Sequence, residues 1–352
     1  MHNNRKNKFT KAYQFFTTAT LLGLLIVVIA GSLVKATDSG MGCPDWPKCF
    51  GHLIPPSDPN EVHWNNTNHY FEGQMVIYNN GLWTAKQAIP ASTTFNKNIW
   101  ELYKRHDYVL YNPTHTIIEY INRLASVLLG IFALGMLILS FTVKKYKKLH
   151  VGLSILTILL IGFEAWLGRL VVDSTLSPVK ISIHLYAAFL LVFIMTIVLA
   201  YTMKSNNITK GVSALKVTAI SLLTLLVQLT LGTKLREVFD KFYNELSIER
   251  DFWIDQAGVQ FLVHRSFSIV YMFLTIIAIS KIQKHWKENP RLKKIISLLV
   301  SIFVLEILSG IVMSYFEVPR AAQPVHVFLS ASLLCLHTFL VVDYYRSVQT
   351  LP

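Results

Sequence analysis

Ionisable side chains set inside long apolar stretches are the first candidates for chemistry, because placing them in lipid is costly without a purpose. His184, His264 and His326 each lie a few residues into such a stretch, near its start. Neutral imidazole is a good axial ligand for haem iron, and its second ring nitrogen can be held by a nearby acceptor. Two histidines at one depth on facing helices would make a bis-imidazole haem site. Each one alone is also compatible with a satisfied helix end. His337 lies 11 residues beyond His326 (337 − 326), about 16 Å deeper along a helix, and reads as a packed core histidine.

An internal repeat strengthens the ligand reading. At a lag of 142 residues, Arg123 meets Arg265, Ser126 meets Ser268, Glu164 meets Glu306, Gly168 meets Gly310 and His184 meets His326. At a lag of 201, Gly31-Ser32 meets Gly232-Thr233 and Lys35 meets Arg236. The difference, 201 − 142 = 59, is the extra length of the first long loop over its counterpart. Apolar matches would mean little in such a chain, but one register for histidine, glutamate and arginine means more. His264 and His326 form a full pair in the C-terminal half, as equivalents of Asn122 and His184.

The N-terminal half departs from this symmetry in a chemically useful way. Asn122 stands where a second imidazole is expected, and Glu119 lies opposite the apolar Phe261. Spacings of three and four put His115, Glu119 and Asn122 on one helix face. An acid in one half alone fits a reacting site with a general base beside a permanent electron-transfer haem. It equally fits a carboxylate paired with an arginine. Arg123 and Arg265 could meet haem propionates or could pair with Glu164 and Glu306. Cys43 and Cys49, just outside the first apolar stretch, read as a short-loop disulfide, with a redox-active pair as the alternative. Two thiols without a close histidine argue against zinc.

Membrane helices must position these residues. The chain is 53% hydrophobic and 15% charged, with a mean hydropathy of +0.43, against about 25% charged residues in soluble proteins. Eight stretches, near 14–35, 116–143, 149–172, 180–203, 212–233, 259–281, 293–316 and 324–345, reach the roughly 20 residues that a bilayer core requires. Unpaired backbone groups are not tolerated in lipid, so these are expected as helices, eight in all, forming two four-helix halves. The first reads as a retained span rather than a cleaved signal.

The formal charge of +13 is concentrated in short runs such as Lys144, Lys145, Lys147 and Lys148. That is a positive-inside topology signal with both termini cytoplasmic, and it argues against nucleic acid. Residues 36–115 form the long loop. It carries a strand-like Met75-Val76-Ile77-Tyr78 and a turn at Asn79-Asn80-Gly81, and is expected as a small extracytoplasmic insertion with some β-structure.

These residues resemble the haem A synthase family. The resemblance rests on Gly31-Ser32-Leu33-Val34 running into Thr37-Asp38-Ser39-Gly40, the Cys43/Cys49 loop, Glu119-Tyr120-Ile121-Asn122-Arg123, His184, His264-Arg265 and His326. It covers all eight spans and implies an all-α membrane fold of two tandem four-helix bundles related by a pseudo-twofold axis. The N-terminal half, 14–203, would hold the substrate haem and the C-terminal half, 204–352, the cofactor haem. The implied activity is an oxidoreductase that hydroxylates the methyl group of haem O twice, giving the formyl group of haem A. Implied roles are His264 and His326 as haem b ligands, His184 as substrate-haem ligand and Glu119 as catalytic acid–base. Asn122 departs from the histidine that many members carry there. The resemblance implies the inner membrane as location, with the haem sites toward its extracytoplasmic side. Haem O synthase, cytochrome oxidase assembly proteins and a second copy of the chain are the partners it suggests. A b-type cytochrome that only carries electrons is the rival in another class, with a repeat-built transporter third.

Overall fold

The computed structural model describes residues 2–104, 111–203, 212–284 and 290–349. Lys204, Lys210 and Lys287, which belong to the basic turns between apolar stretches, lie outside these residues. The helices are α1 (His2–Ala36), a short α2 (Pro59–Val62), α3 (Pro113–Ser140), α4 (Lys147–Asp173), α5 (Pro178–Thr202), α6 (Val212–Asn244), α7 (Trp253–Gln283), α8 (Pro290–Tyr315) and α9 (Ala322–Gln349). Eight helices among the described residues are long and apolar enough to cross a membrane, one for each stretch expected from sequence. Their outward faces are apolar: Leu22, Ile131, Leu223 and Phe273 are all exposed, as suits contact with lipid rather than water.

Sequence signals set several helix boundaries. Asn112 caps α3 by accepting from the backbone N–H of Thr114 (3.0 Å) and His115 (3.2 Å), with Pro113 as the first helical residue. Pro178 is likewise the first residue of α5, without a side-chain cap before it. α6 was expected to stop near residue 233 but runs on to Asn244. Charge did not end it because the extension is two-faced. Leu235 and Phe239 bury against Trp253, Ala257 and Val318, while Lys234, Glu237 and Lys241 pair along the other face. α7 begins before its apolar stretch and kinks at Gly258 (φ 49°, ψ −117°), a conformation that glycine adopts at little cost.

The helices close two rings. α1 packs on α3, α3 on α4, α4 on α5 and α5 back on α1; α6, α7, α8 and α9 repeat the order. Between the rings α5 packs on α9, flanked by α1 on α9 and α5 on α6. Under the repeat the two flanking contacts exchange and the central one maps onto itself, as a twofold relation requires. Met195, Val192, Leu333, Leu334 and Leu340 are fully buried in the core that joins them.

The long loop is a small antiparallel sheet of β1 (Met75–Tyr78), β2 (Gly81–Ala85) and β3 (Trp100–Leu102). Asn79 and Asn80, with φ of 47° and 59°, make the expected tight turn between β1 and β2. Phe95 stacks on Tyr78 and on Trp100, which closes one face. The other face buries Met75, Ile77 and Leu82 against Cys43, Cys49 and Phe50. The sheet is thereby fastened to the loop that covers the start of α3.

Candidate functional site

Both rings place their candidate ligands at the end that carries the insertion, on diagonally opposite helices. In the C-terminal ring these are His264 on α7 and His326 on α9. Nδ1 of His326 lies 2.8 Å from Ser309 Oγ and 3.4 Å from Glu306 Oε2. An Nδ1–H donated to Ser309 Oγ leaves Nε2 with a free lone pair for iron. The other oxygen of Glu306 accepts from Ser330 at 2.5 Å. Gln228 on α6 holds His264: its amide nitrogen is 3.2 Å from Nδ1 and 3.1 Å from the His264 carbonyl. Its Oε1 is buried without a partner.

Glycines make room for the rings. A Cβ at Gly232 would lie 2.9 Å from Cε1 of His264, and one at Gly310 would lie 3.6 Å from Cε1 of His326. The N-terminal ring repeats the pattern, with Gly168 facing His184 at 3.8 Å and Gly31 facing Asn122 at 3.8 Å. All four glycines stand in the repeat register, so each half has two cradles of one design. The repeat aligned these glycines in sequence, but nothing there showed what they face. Gly232→Ala is expected to displace the His264 imidazole and to weaken a low-spin haem signal of the C-terminal half. Gly31→Ala, with only an ordinary contact to make, is expected to leave that signal intact, which a difference spectrum reads directly.

In the N-terminal ring, Nδ1 of His184 lies 2.6 Å from Glu164 Oε2, the counterpart of His326 with Glu306. Neither glutamate pairs with Arg123 or Arg265, so that alternative from the sequence is corrected: the carboxylates serve the histidines. The second position differs. Asn122 replaces histidine, its Oδ1 is buried with no hydrogen bond, and Val27 stands where Gln228 holds His264. The imidazole and the amide that holds it in the other half are both absent from these positions.

Glu119, buried one turn from Asn122, sits beneath the Cys43–Cys49 disulfide, whose Cα atoms are 4.9 Å apart. Oε2 accepts from the Cys43 backbone N–H at 2.8 Å, and Oε1 accepts from Arg123, whose Nε is 3.1 Å away. The pairing with an arginine allowed by the sequence is thus present. Arg123 also donates to the carbonyls of Asp45 (2.6 Å), Lys48 (3.1 Å) and Cys43 (3.2 Å), so the carboxylate, the guanidinium and the disulfide loop form one unit. Asp45 closes the loop by accepting from Phe50 and Gly51 N–H; burial pushes its carboxyl above the usual range, against the pull of Arg123. Arg265 makes no such clamp; its guanidinium lies over the Phe261 ring, 5.6 Å from the centroid.

His115 is fixed rather than adjustable. A Cβ at Gly42 would meet its carbonyl oxygen at 2.5 Å, and Thr116 Oγ1 donates to the Gly42 carbonyl at 2.8 Å. With the Asn112 cap, this pins the first turn of α3 under the loop. His337 is a satisfied core residue, bonded to Ser221 (3.2 Å) and the Leu333 carbonyl (3.0 Å).

Among the described residues, no group of three or more His, Cys, Asp or Glu side chains gathers as a bare-ion site. Paired imidazoles suit a porphyrin, which brings the other iron donors itself. The donor set, the glycine cradles and the buried unpartnered Asn122 oxygen all fit such a group.

Fold and site define a class: a polytopic all-α membrane protein of two like four-helix rings, with histidines presented at a common end. Residues 14–338 match the family described as cytochrome oxidase assembly protein, and the chain belongs to that family. It is similar to the heme A synthase of Shewanella oneidensis, 24% identical over 216 residues, covering 60% of this chain and 53% of that protein. The heme A synthase of Lysinibacillus sphaericus is 42% identical over 57 residues, 16% of this chain and 18% of its own. That of Shouchella clausii is 52% identical over 44 residues, 12% and 15%. The chain therefore spans about half the length of the Shewanella relative and less of the others.

Proposed function

We propose that this protein is a haem A synthase, oxidising the methyl group of haem O to the formyl group of haem A. The observation that carries this is the asymmetry between two rings of one design. The C-terminal ring has two supported imidazoles, suited to a permanently held haem b. The N-terminal ring has one, beside a carboxylate that the other half lacks. Family membership and the names of the similar proteins point the same way.

In this reading His264 and His326 hold haem b, which supplies one-electron transfer when bound. Gln228, Ser309 and Glu306 fix their ring orientations, and Gly232 and Gly310 clear the space beside them. His184, oriented by Glu164, holds the iron of the substrate haem from one side. Glu119 would accept protons released as the methyl carbon is hydroxylated twice and the hydrate loses water, the electrons leaving one at a time by way of haem b to an external electron acceptor. Arg123 holds that carboxylate in place, and the disulfide loop closes over it. The basic turns orient the protein with both termini in the cytoplasm and the haem sites toward the outer face of the inner membrane. Haem O synthase and other oxidase assembly proteins are the natural partners for delivery and removal of so apolar a substrate.

The test is haem extraction from a host that makes haem O, with and without this chain. Haem A is expected only with it; haem O persisting unchanged would favour the electron-carrier reading. His184→Ala is expected to abolish conversion. His115→Ala should leave it largely intact, because the pinned first turn of α3 holds His115 about 10 Å along the axis from Asn122. A second bis-histidine spectrum that vanishes in His115→Ala would refute single-histidine binding.

A further inference from the structure

Gln228, Gly232 and Arg236 recur every four residues on α6 and so share one face. Gln228 touches His264 and Gly232 abuts its ring, so this face looks into the C-terminal ring. Arg236 stands one turn, about 6 Å, farther toward the insertion. Its Nε and Nη2 atoms are buried and make no hydrogen bond. Its ion-pair partner, Asp240, lies 3.5 Å from Nη2, beyond good hydrogen-bond length.

On α1, Lys35 is the repeat equivalent of Arg236 and stands one turn beyond Gly31, which faces Asn122. Lys35 Nζ lies 3.1 Å from the other oxygen of the same Asp240. The N-terminal equivalent of Asp240 is Ser39 (240 − 201). Two cations, one from each half, therefore share one buried carboxylate. Nearby Asp38 is engaged elsewhere, by Arg320 at 2.7 Å and Tyr243 at 3.2 Å.

We propose that Arg236 and Lys35 are the carboxylate anchors of the two pockets, each receiving a propionate of the porphyrin bound in its own half. Asp240 is the counterion they share before loading. This rests on the function proposed above. A buried guanidinium edge without acceptors is costly, and a carboxylate is the ligand that satisfies its planar fork best. The choice of cation fits each task. Arginine gives a fixed bidentate grip for a resident cofactor, whereas lysine gives a movable point charge for a substrate that must leave.

The test uses the purified holoprotein, titrated with iron protoporphyrin IX and with its dimethyl ester. The parent is expected to bind the free acid about tenfold tighter than the ester. Lys35→Gln should erase that preference without changing the resident haem spectrum, and Lys35→Arg should keep it. Asp240→Asn frees both cations and should keep or sharpen it, whereas a purely structural ion pair would make Asp240→Asn fail together with Lys35→Gln. Arg236→Gln should lower the midpoint potential of the resident haem and speed its loss to apomyoglobin, with Arg236→Lys recovering most of both. Equal binding of acid and ester by the parent, or a preference that survives Lys35→Gln, overturns the Lys35 assignment. An Arg236→Gln protein with unchanged potential and haem retention overturns that of Arg236. A parent that forms no haem A yet still discriminates acid from ester would sink the proposed reaction and leave the anchors standing.

Discussion

Alanine at either His264 or His326 is expected to remove the low-spin b-type spectrum of the purified protein. Both imidazoles are held from behind, by Gln228 in one case and by Ser309 and Glu306 in the other. Each also has a glycine cleared beside its ring. Among the described residues of the C-terminal half, the one further histidine, His337, is bonded to Ser221 and to the Leu333 carbonyl, deeper in the ring, and is not placed to substitute. Loss of one ligand should therefore give a high-spin or empty site rather than a rearranged low-spin one. Reduced-minus-oxidised spectra and electron paramagnetic resonance decide this. Full low-spin haem in both single variants would show the assignment to be wrong.

Glu119→Gln is the second large effect, and it falls on turnover instead of haem content. Glutamine keeps the side-chain shape and an oxygen for the Cys43 N–H, but it cannot take a proton. Removing one partner of a buried ion pair commonly costs about 3–5 kcal/mol. Arg123 retains three carbonyl acceptors in the disulfide loop, so the cost here should be smaller and the loop should stay closed. Formyl production is expected to fall by about 10²–10⁴-fold, the usual contribution of a positioned general base. A glutamine variant converting haem O at close to the parent rate would reduce Glu119 to a structural clamp for Arg123.

The spans, the repeat and the asymmetry between halves were legible because they are properties of order along the chain. A run of apolar residues must become a helix in lipid, and a fixed lag needs no contact to be seen. Asn112-Pro113 announced the start of α3, and Asn79-Asn80-Gly81 announced a hairpin, because caps and tight turns are local. The end of α6 was misjudged. Its charged residues pair among themselves, and the burial of Leu235 and Phe239 against Trp253 depends on a distant segment. Sequence also left Glu164 and Glu306 without partners and offered arginines for them.

By itself, then, the sequence determined the membrane class, the number of spans, the doubling and the short list of histidines, cysteines and acids, since polarity and periodicity are written in one dimension. Tertiary structure decided which atoms meet. It set Glu164 on His184, Glu306 on His326 and Gln228 on His264, aimed four glycines at three histidines and Asn122, folded the Cys43–Cys49 loop over Glu119 and Arg123, and drew Lys35 and Arg236 to one carboxylate. Each of these contacts joins elements dozens to hundreds of residues apart or chooses among several partners of equal chemistry. Only the packing of the two rings, which fixes depth and direction at once, makes that choice.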